Sequence, residues 1–431
     1  MNVTVYPSVI SGKVRAVSSK SAAHRLLFCA AFADRATEIF CPDTNADIDA
    51  TVSCLASLGA DIKYEGGSFY VTPVKKVNAA SSLDCSESGT TYRFLLPVVA
   101  ALGKGGELIG HGRLPSRPLS PLYEAIADAG VALSPQGSNP MKIEGKLPSG
   151  EYSFRGDVSS QFASGMLLAF AADASVNGNN DASSLTLTGK IESSPYLDLT
   201  ADILSEFGVE IKIEDEPKRR KYSFDCAPRL VSPKKAVTEG DYSSAALWLA
   251  AGAVGKAPVT VTGLKADSRQ GDREIIGLLR RFGAAVKEDE CGVTVSPNTL
   301  CGIEIDASQI PDLVPILSVV ACAARGETLI YNASRLRLKE SDRLRTVCNM
   351  ITSLGGEIYE GEDFLRITGH GKLRGGVIDS ANDHRIAMSA CIASLICENA
   401  VNIPHAECAA KSYPNFYRDA KALGMKMEEY V

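Results

Sequence analysis

Six times along this chain an apolar helix-like stretch ends in glycine and an alternating stretch comes next. The junctions are Leu58-Gly59-Ala60, Ala129-Gly130-Val131, Phe207-Gly208-Val209, Phe282-Gly283-Ala284, Leu354-Gly355-Gly356 and Leu423-Gly424-Met425, with consecutive glycines 69–78 residues apart. Glycine ends helices well because it enters the left-handed conformation without a Cβ clash. After the first junction, Ala60-Asp61-Ile62-Lys63-Tyr64 turns at Gly66-Gly67 and returns as Phe69-Tyr70-Val71, the pattern of a hairpin.

A second pattern recurs in phase with the first: a polar, turn-forming start, then a helix of small apolar residues. The starts are Ser18-Ser19-Lys20-Ser21, Glu87-Ser88-Gly89-Thr90, Val158-Ser159-Ser160-Gln161, Gly240-Asp241-Tyr242-Ser243, Ile310-Pro311-Asp312 and Asn382-Asp383-His384-Arg385. Small residues on every face mean a helix packed on several sides. The chain therefore reads as six copies of one α/β unit, three to a lobe. Pro228 and Pro233 mark a crossover in residues 227–235. The first lobe is expected over residues 13–230, and the second over 1–12 plus 231–431, with a second crossover at Gly12-Lys13. The run Lys218-Arg219-Arg220-Lys221 beside acidic residues 214–216 reads as a solvated hairpin turn.

At 431 residues, 45% hydrophobic and 22% charged, the chain has ample material for two cores. Its 45 Lys and Arg against 51 Asp and Glu leave a net charge of −6. That balance argues against nucleic-acid or membrane-surface partners, both of which need a basic footprint. Residues 1–7 carry no apolar signal core, and the apolar stretch 313–324 is too short to span a bilayer, so a cytoplasmic protein is expected. The twelve cysteines form no CxxC and mostly sit in apolar runs, which reads as buried thiols; no metal is expected. No GxxxxGK[ST] and no helix-opening GxGxxG is present, so ATP- and NAD-dependent chemistry lose support.

Helix starts bind anions through unpaired N–H groups and the positive end of the helix dipole. Several starts here also bring cations or hydroxyls: Lys20, Ser21 and Arg25; Gly89, Thr90 and Arg93; Ser159, Ser160 and Gln161; His384 and Arg385. The loop from Arg337 to Arg343 adds more charge. Any one of these could be an ordinary cap. Together they point to a substrate bearing phosphate and carboxylate groups.

In order along the whole chain, Ser19-Lys20-Ser21-x-x-x-Arg25, Ser88-Gly89-Thr90-x-x-Arg93, Arg117-Pro118, Val158-Ser159-Ser160-Gln161, Gly240-Asp241-x-Ser243-Ser244, Arg337-x-Lys339-Glu340-Ser341-Asp342-Arg343, Asn382-Asp383-His384-Arg385 and Ala410-Lys411-Ser412-Tyr413-Pro414 resemble the 5-enolpyruvylshikimate-3-phosphate (EPSP) synthase family. The resemblance implies a two-lobed inside-out α/β barrel of six βαβαββ-type units that closes on its substrates. It implies transfer of the enolpyruvyl group of phosphoenolpyruvate to the 5-hydroxyl of shikimate 3-phosphate, without metal or organic cofactor, by a monomer. It also implies a place in the shikimate pathway and a target for the herbicide glyphosate.

By the same resemblance Glu340 is the acid, Asp312 the base, and Lys20 touches both substrates. Shikimate 3-phosphate falls to Lys20, Ser21, Arg25, Ser159, Ser160, Gln161, Ser193, Tyr196, Asp312 and Lys339. Phosphoenolpyruvate falls to Lys20, Gly89, Arg117, Gln161, Arg343, His384, Arg385 and Lys411. Two plainer readings remain for single residues: Tyr196 as a core aromatic and Arg343 as a surface partner of Asp342. Glu87 and Arg335 depart from the family's pattern and receive no role. A carboxylate at position 87 has to turn away, pair with a cation or be protonated.

Enolpyruvyl transfer to a UDP-amino sugar is the nearest rival, but Ser21 follows Lys20 and residues 111–118 hold no cysteine, unlike that family. An RNA-end-modifying relative and a non-catalytic anion-binding relative complete the alternatives. The acidic balance weighs against the first, and intact Lys20, Asp312 and Glu340 against the second.

Overall fold

A computed structural model of the chain describes residues 1–430. All six expected helix starts are present, and five carry a side-chain cap. Ser19, Ser88, Ser159, Asp241 and Asp383 each accept a hydrogen bond from an amide two or three residues on. The sixth differs: Pro311–Leu313 is a 3-10 turn that leads into the helix Val314–Ala323. The six junction glycines all have positive φ, between 77° and 117°, as helix-ending residues in the left-handed region.

The chain divides into two units, Ser18–Thr238 and Met1–Val17 with Glu239–Val431. Among the described residues each unit holds three four-stranded sheets, and all six repeat one pattern. A first strand pairs parallel with a second, the second pairs antiparallel with a fourth, and the third closes the outer edge by pairing antiparallel with the fourth, as a hairpin in five sheets and between the chain's first and last strands in the sixth. In the first sheet these are Lys235–Val237, Thr37–Phe40, Asp61–Glu65 and Ser68–Thr72. Parallel pairing needs a crossover, and in four sheets one helix supplies it, whereas in the other two the parallel strands are joined only through the chain of a whole unit.

The junctions lie later than the proline and glycine positions suggest. Gly12–Arg15 pairs with Val259–Thr262, so residues 13–17 belong with the second unit. Lys235–Val237 pairs with Glu38–Phe40, so residues 231–238 belong with the first. A strand joins the sheet that satisfies its edge, wherever the prolines fall. The opening strand, Asn2–Tyr6, pairs with Val401–Ile403 and Lys426–Tyr430 inside its own unit.

Each unit has its own apolar core. Every residue of the helix Tyr242–Val254 is buried. Gly165, in Ser160–Val176, is pressed so near the helix Gly89–Leu102 that a Cβ would fall 2.6 Å from the Arg93 carbonyl oxygen. The basic run is a hairpin as expected, but Arg220 turns inward to Asp198 and Ser194 and is buried. Eight cysteines are buried; Cys226, Cys291 and Cys301 are exposed and Cys348 is intermediate. No helix among the described residues is long and apolar enough to cross a membrane.

Candidate active site

In the unit Ser18–Thr238 the starts of three helices carry the expected residues. Lys20 opens the helix Lys20–Ala31, and its Nζ lies 2.7 Å from Asp47 Oδ2. Arg25, almost fully buried, donates from Nη1 to the Ser21 carbonyl, from Nε to Thr200 Oγ1, and from Nη2 to Ser164 Oγ and the Tyr196 carbonyl. These partners are all neutral. Burial lowers the guanidinium to about 10; neutral dipoles and the face of Phe94, whose ring centre lies 5.3 Å away, accompany its charge. An anion is the ligand that would relieve it.

Gly89 begins the next helix, and a Cβ there would fall 2.8 Å from Arg117 Nη1. Gln161 links two helix starts: it accepts from Arg93 Nη1 at 2.7 Å and donates to Thr90 Oγ1 at 2.8 Å. Ser159 caps the helix Ser160–Val176 by accepting from the Gln161 amide. Ser193, buried, holds a left-handed backbone with φ 53°, just ahead of the helix Pro195–Glu206 that carries Tyr196. Glu87 lies beside Gly112, where a Cβ would fall 3.0 Å from its Oε2.

Behind these groups runs a buried chain that no sequence motif announces. His24 Nδ1 meets Thr51 Oγ1 at 2.7 Å, Thr51 meets Thr91 Oγ1 at 2.6 Å, and Thr91 meets Ser88 Oγ at 2.7 Å. Lys20 and His24 are one turn apart on one helix, and Asp47 and Thr51 one turn apart on another. The two pairs cross-link those helices and tie them to the cap beside Gly89. Burial, then the charges of Lys20 and Arg25, hold His24 well below the usual imidazole range, so the ring is neutral.

The second unit gathers a different set around Arg343, whose side chain is 1% exposed. Its Nη1 donates to Asp312 Oδ1 at 2.6 Å, its Nη2 to Glu340 Oε2 at 2.7 Å and its Nε to Asp383 Oδ2 at 2.8 Å. Asp312 also faces Lys339 Nζ at 3.3 Å and Arg385 Nη2 at 3.5 Å. Burial would raise the Asp312 carboxyl, but Lys339, Arg385 and Arg343 together hold it well below the usual carboxylate range. Lys339 is lowered to about 8, by burial first, against the opposing pull of Asp312.

His384 and Arg385 open the helix His384–Ala393, both buried, and Lys411 Nζ donates to the Asn382 carbonyl at 3.0 Å. The surface reading of Arg343 with Asp342 is corrected: Asp342 pairs with Arg337 at 2.9 Å, while Arg343 points into the interior. The plain reading of Tyr196 holds: it packs against the apolar core of its unit. The residue is half-buried, and its carbonyl takes the Arg25 bond.

Each expected residue thus falls in one of the two units. Lys20, Ser21, Arg25, Gly89, Arg117, Ser159, Ser160, Gln161, Ser193 and Tyr196 belong to the first unit, and Asp312, Lys339, Glu340, Arg343, His384, Arg385 and Lys411 to the second. Sequence reasoning missed Asp47, Asp272 and the role of Asp383. Asp383 was visible as a cap, and its second bond, to Arg343, had no local signal. Asp47 and Asp272 lie 27 and 29 residues from the groups they meet, Lys20 and Ser243, and neither sits in a recognisable pattern.

Residues 6–419 match the family described as EPSP synthase (3-phosphoshikimate 1-carboxyvinyltransferase). A 3-phosphoshikimate 1-carboxyvinyltransferase from Clostridium kluyveri is 38% identical, over 99% of this chain and 98% of its own length. One from Clostridium acetobutylicum is 39% identical over the same shares. An EPSP synthase structure from Acinetobacter baumannii superposes with a TM-score of 0.80 at 26% identity, over 99% of both chains. The enolpyruvyl transferase NikO from Streptomyces tendae gives 0.79 at 19% identity, over 99% of this chain and 98% of its own, a likeness of fold alone.

Proposed function

Because this chain belongs to the EPSP synthase family, we propose that its two side-chain clusters serve one carboxyvinyl transfer. The protein is a transferase of the shikimate pathway, which leads to the aromatic amino acids. It moves the enolpyruvyl group of phosphoenolpyruvate to the 5-hydroxyl of shikimate 3-phosphate and releases phosphate. Transfer to a UDP-amino sugar is not favoured.

The roles follow from what the reaction demands. Glu340 donates a proton to the methylene carbon of phosphoenolpyruvate while Asp312 accepts the proton of the attacking hydroxyl. The carbon between them becomes a tetrahedral adduct. Loss of phosphate and of one methyl proton then restores the vinyl group. Arg117, Arg343, Arg385, His384 and Lys411 hold the phosphoenolpyruvate carboxylate and phosphate, the guanidinium forks two-pronged. Gly89 lets main chain approach the same ligand, and Gln161 borders both substrates. Arg25 and Ser21 take the shikimate carboxylate, and Ser159, Ser160 and Ser193 its phosphate. Tyr196 lies against the ring. Lys20 supports the departing phosphate, and Lys339 the hydroxyl beside Asp312.

One observation carries this reading: Arg343 bonds Asp312 and Glu340 through separate nitrogens, at 2.6 and 2.7 Å. One rigid, planar group thus bonds both the residue assigned as acid and the one assigned as base. Three cations around Asp312 also make it a poor base until anionic substrates compete for Arg385 and Arg343. Proton uptake then comes after substrate binding. A phosphate-release assay tests the reading: turnover with phosphoenolpyruvate and shikimate 3-phosphate is expected, and turnover only with a UDP-amino sugar would overturn it. We further propose that the protein works as a single chain, since every assigned group lies in one polypeptide, and that it acts in the cytoplasm.

A further inference from the structure

The motif Gly240-Asp241-x-Ser243-Ser244 has no part in the roles assigned above. Its serine, the second residue of the helix Tyr242–Val254, makes two contacts. Ser243 Oγ donates to Asp272 Oδ2. Its backbone carbonyl accepts from Arg385 Nη1 at 3.3 Å. Asp272 is carried inward by the 3-10 turn Gly271–Glu274 and is fully buried. Gln270, just ahead of it, pins that turn to the helix start by bonding the Tyr242 amide and the Gly240 carbonyl.

Two polar atoms in this cluster are buried without a hydrogen-bond partner among the described residues: Asp272 Oδ1, an acceptor, and Arg385 Nε, a donor. Arg385 thus has two carboxyls to serve. It meets Asp312 directly, at 3.5 Å, and Asp272 through Ser243. Leaving a buried carboxyl half-bonded is costly, and a core position would ordinarily be filled by an apolar or fully bonded residue.

We infer that Asp272 is a positioning residue for Arg385, a second carboxyl that shares this guanidinium with Asp312 and steadies it while Asp312 changes charge. The electrostatics are consistent with that geometry. Burial first, then the charge of Asp312, push the Asp272 carboxyl up to about 7; Arg385 and the Ser243 bond pull it down, and Asp241 adds a smaller upward push. Ionisation of either carboxyl disfavours ionisation of the other, so the two titrate as a pair. When Asp312 takes up the substrate proton, Asp272 ionises more readily, its proton passing to solvent. The negative charge facing Arg385 is kept, and the guanidinium stays on its anionic ligand.

The inference rests on the functional reading above, and the test separates the two. Asp272→Asn in the full chain keeps the size and the Ser243 bond but cannot ionise. Its kcat is expected to fall about tenfold, with the limb of the pH–rate profile near neutrality displaced or lost. KM for shikimate 3-phosphate should stay within about twofold, since that ligand does not rest on Arg385. Ser243→Ala, which removes the hydroxyl bonded to Asp272 and leaves both carboxyls in the chain, should displace the same limb. It decides the matter if Asp272→Asn fails to fold. A purely structural role would lower stability and leave the pH profile in place; that result overturns the inference. An infrared titration of the ligand-free protein should show a protonated-carboxyl band that disappears near neutral pH and is missing in Asp272→Asn; its presence in the variant also overturns it. Should the unaltered protein fail to release phosphate from its two substrates, the functional reading falls, and the infrared titration still decides Asp272.

Discussion

The Cβ that Gly89 lacks would fall 2.8 Å from Arg117 Nη1, closer than carbon and nitrogen approach without bonding. Gly89→Ala therefore has to displace a guanidinium. The obstacle is the far end of a flexible side chain, so the fold should tolerate the change with a loss of about 1 kcal/mol or less. KM for phosphoenolpyruvate should rise about tenfold, as one misplaced charged bond allows, while shikimate 3-phosphate is unaffected. Steady-state kinetics checks this. Equal changes for both substrates would assign Gly89 to the helix start alone.

Glu340→Gln retains an acceptor for Arg343 and removes the proton. Loss of one positioned acid typically costs about 10²–10⁴-fold in rate, and kcat should drop by that order. Calorimetric binding of shikimate 3-phosphate should match the unaltered protein. Normal turnover would remove Glu340 from the role of acid.

Asp383→Asn tests the anchor of Arg343. Asparagine caps a helix as well as aspartate does, so the start of His384–Ala393 survives. The charge opposite a fully buried guanidinium does not. Breaking a buried pair from one side costs about 3–5 kcal/mol, reduced here because Asp312 and Glu340 remain. Urea unfolding should register a loss of about 2 kcal/mol or more, and a loss below experimental error would mean the other two carboxylates suffice.

Thr51→Val preserves shape and deletes the middle of the His24–Thr51–Thr91 chain. His24 Nδ1 is left without a partner, a cost of about 1–3 kcal/mol, while Thr91 keeps its bond to Ser88. Because the chain ends at the Ser88 cap, the helix start at Gly89 should loosen, and amide exchange of Thr90 and Thr91 should accelerate. Unchanged exchange with lowered stability would confine the chain to the core.

Asp272 and Asp312 give stability opposite pH slopes. An unfolded aspartate titrates near about 3.9. Folded Asp272 holds its proton up to about 7, so between those values the folded state binds more protons and stability falls as pH rises. Folded Asp312 stays ionised well below the ordinary range, so its contribution is present above the unfolded value and is lost as pH falls through the acid region. Thermal melts should show Asp272→Asn gaining on the unaltered protein between about pH 4 and 7 and sharing its acid limb. Parallel curves would mean Asp272 is ionised throughout.

The caps and the junction glycines were legible because they act locally. Ser19, Ser88, Ser159, Asp241 and Asp383 need only reach amides two or three residues on, and the glycines need only their own φ. A local rule repeated six times in phase is enough to expose the repeat, and the repeat dictates the hairpins and crossovers. Charge partners obey no such rule. Asp342 stands next to Arg343 in sequence yet bonds Arg337, while Arg343 reaches Asp312, 31 positions back, and Asp383, 40 positions on. Arg220, in the middle of a basic run, is buried against Asp198. The crossing points moved for the same reason: Gly12–Arg15 and Lys235–Val237 went to the sheets whose edge bonds they satisfy. A buried ion holds its charge only where packing brings the opposite charge within about 4 Å and keeps water away. Which segments meet at that distance is settled by sheet pairing and core burial, and no short stretch of sequence encodes it.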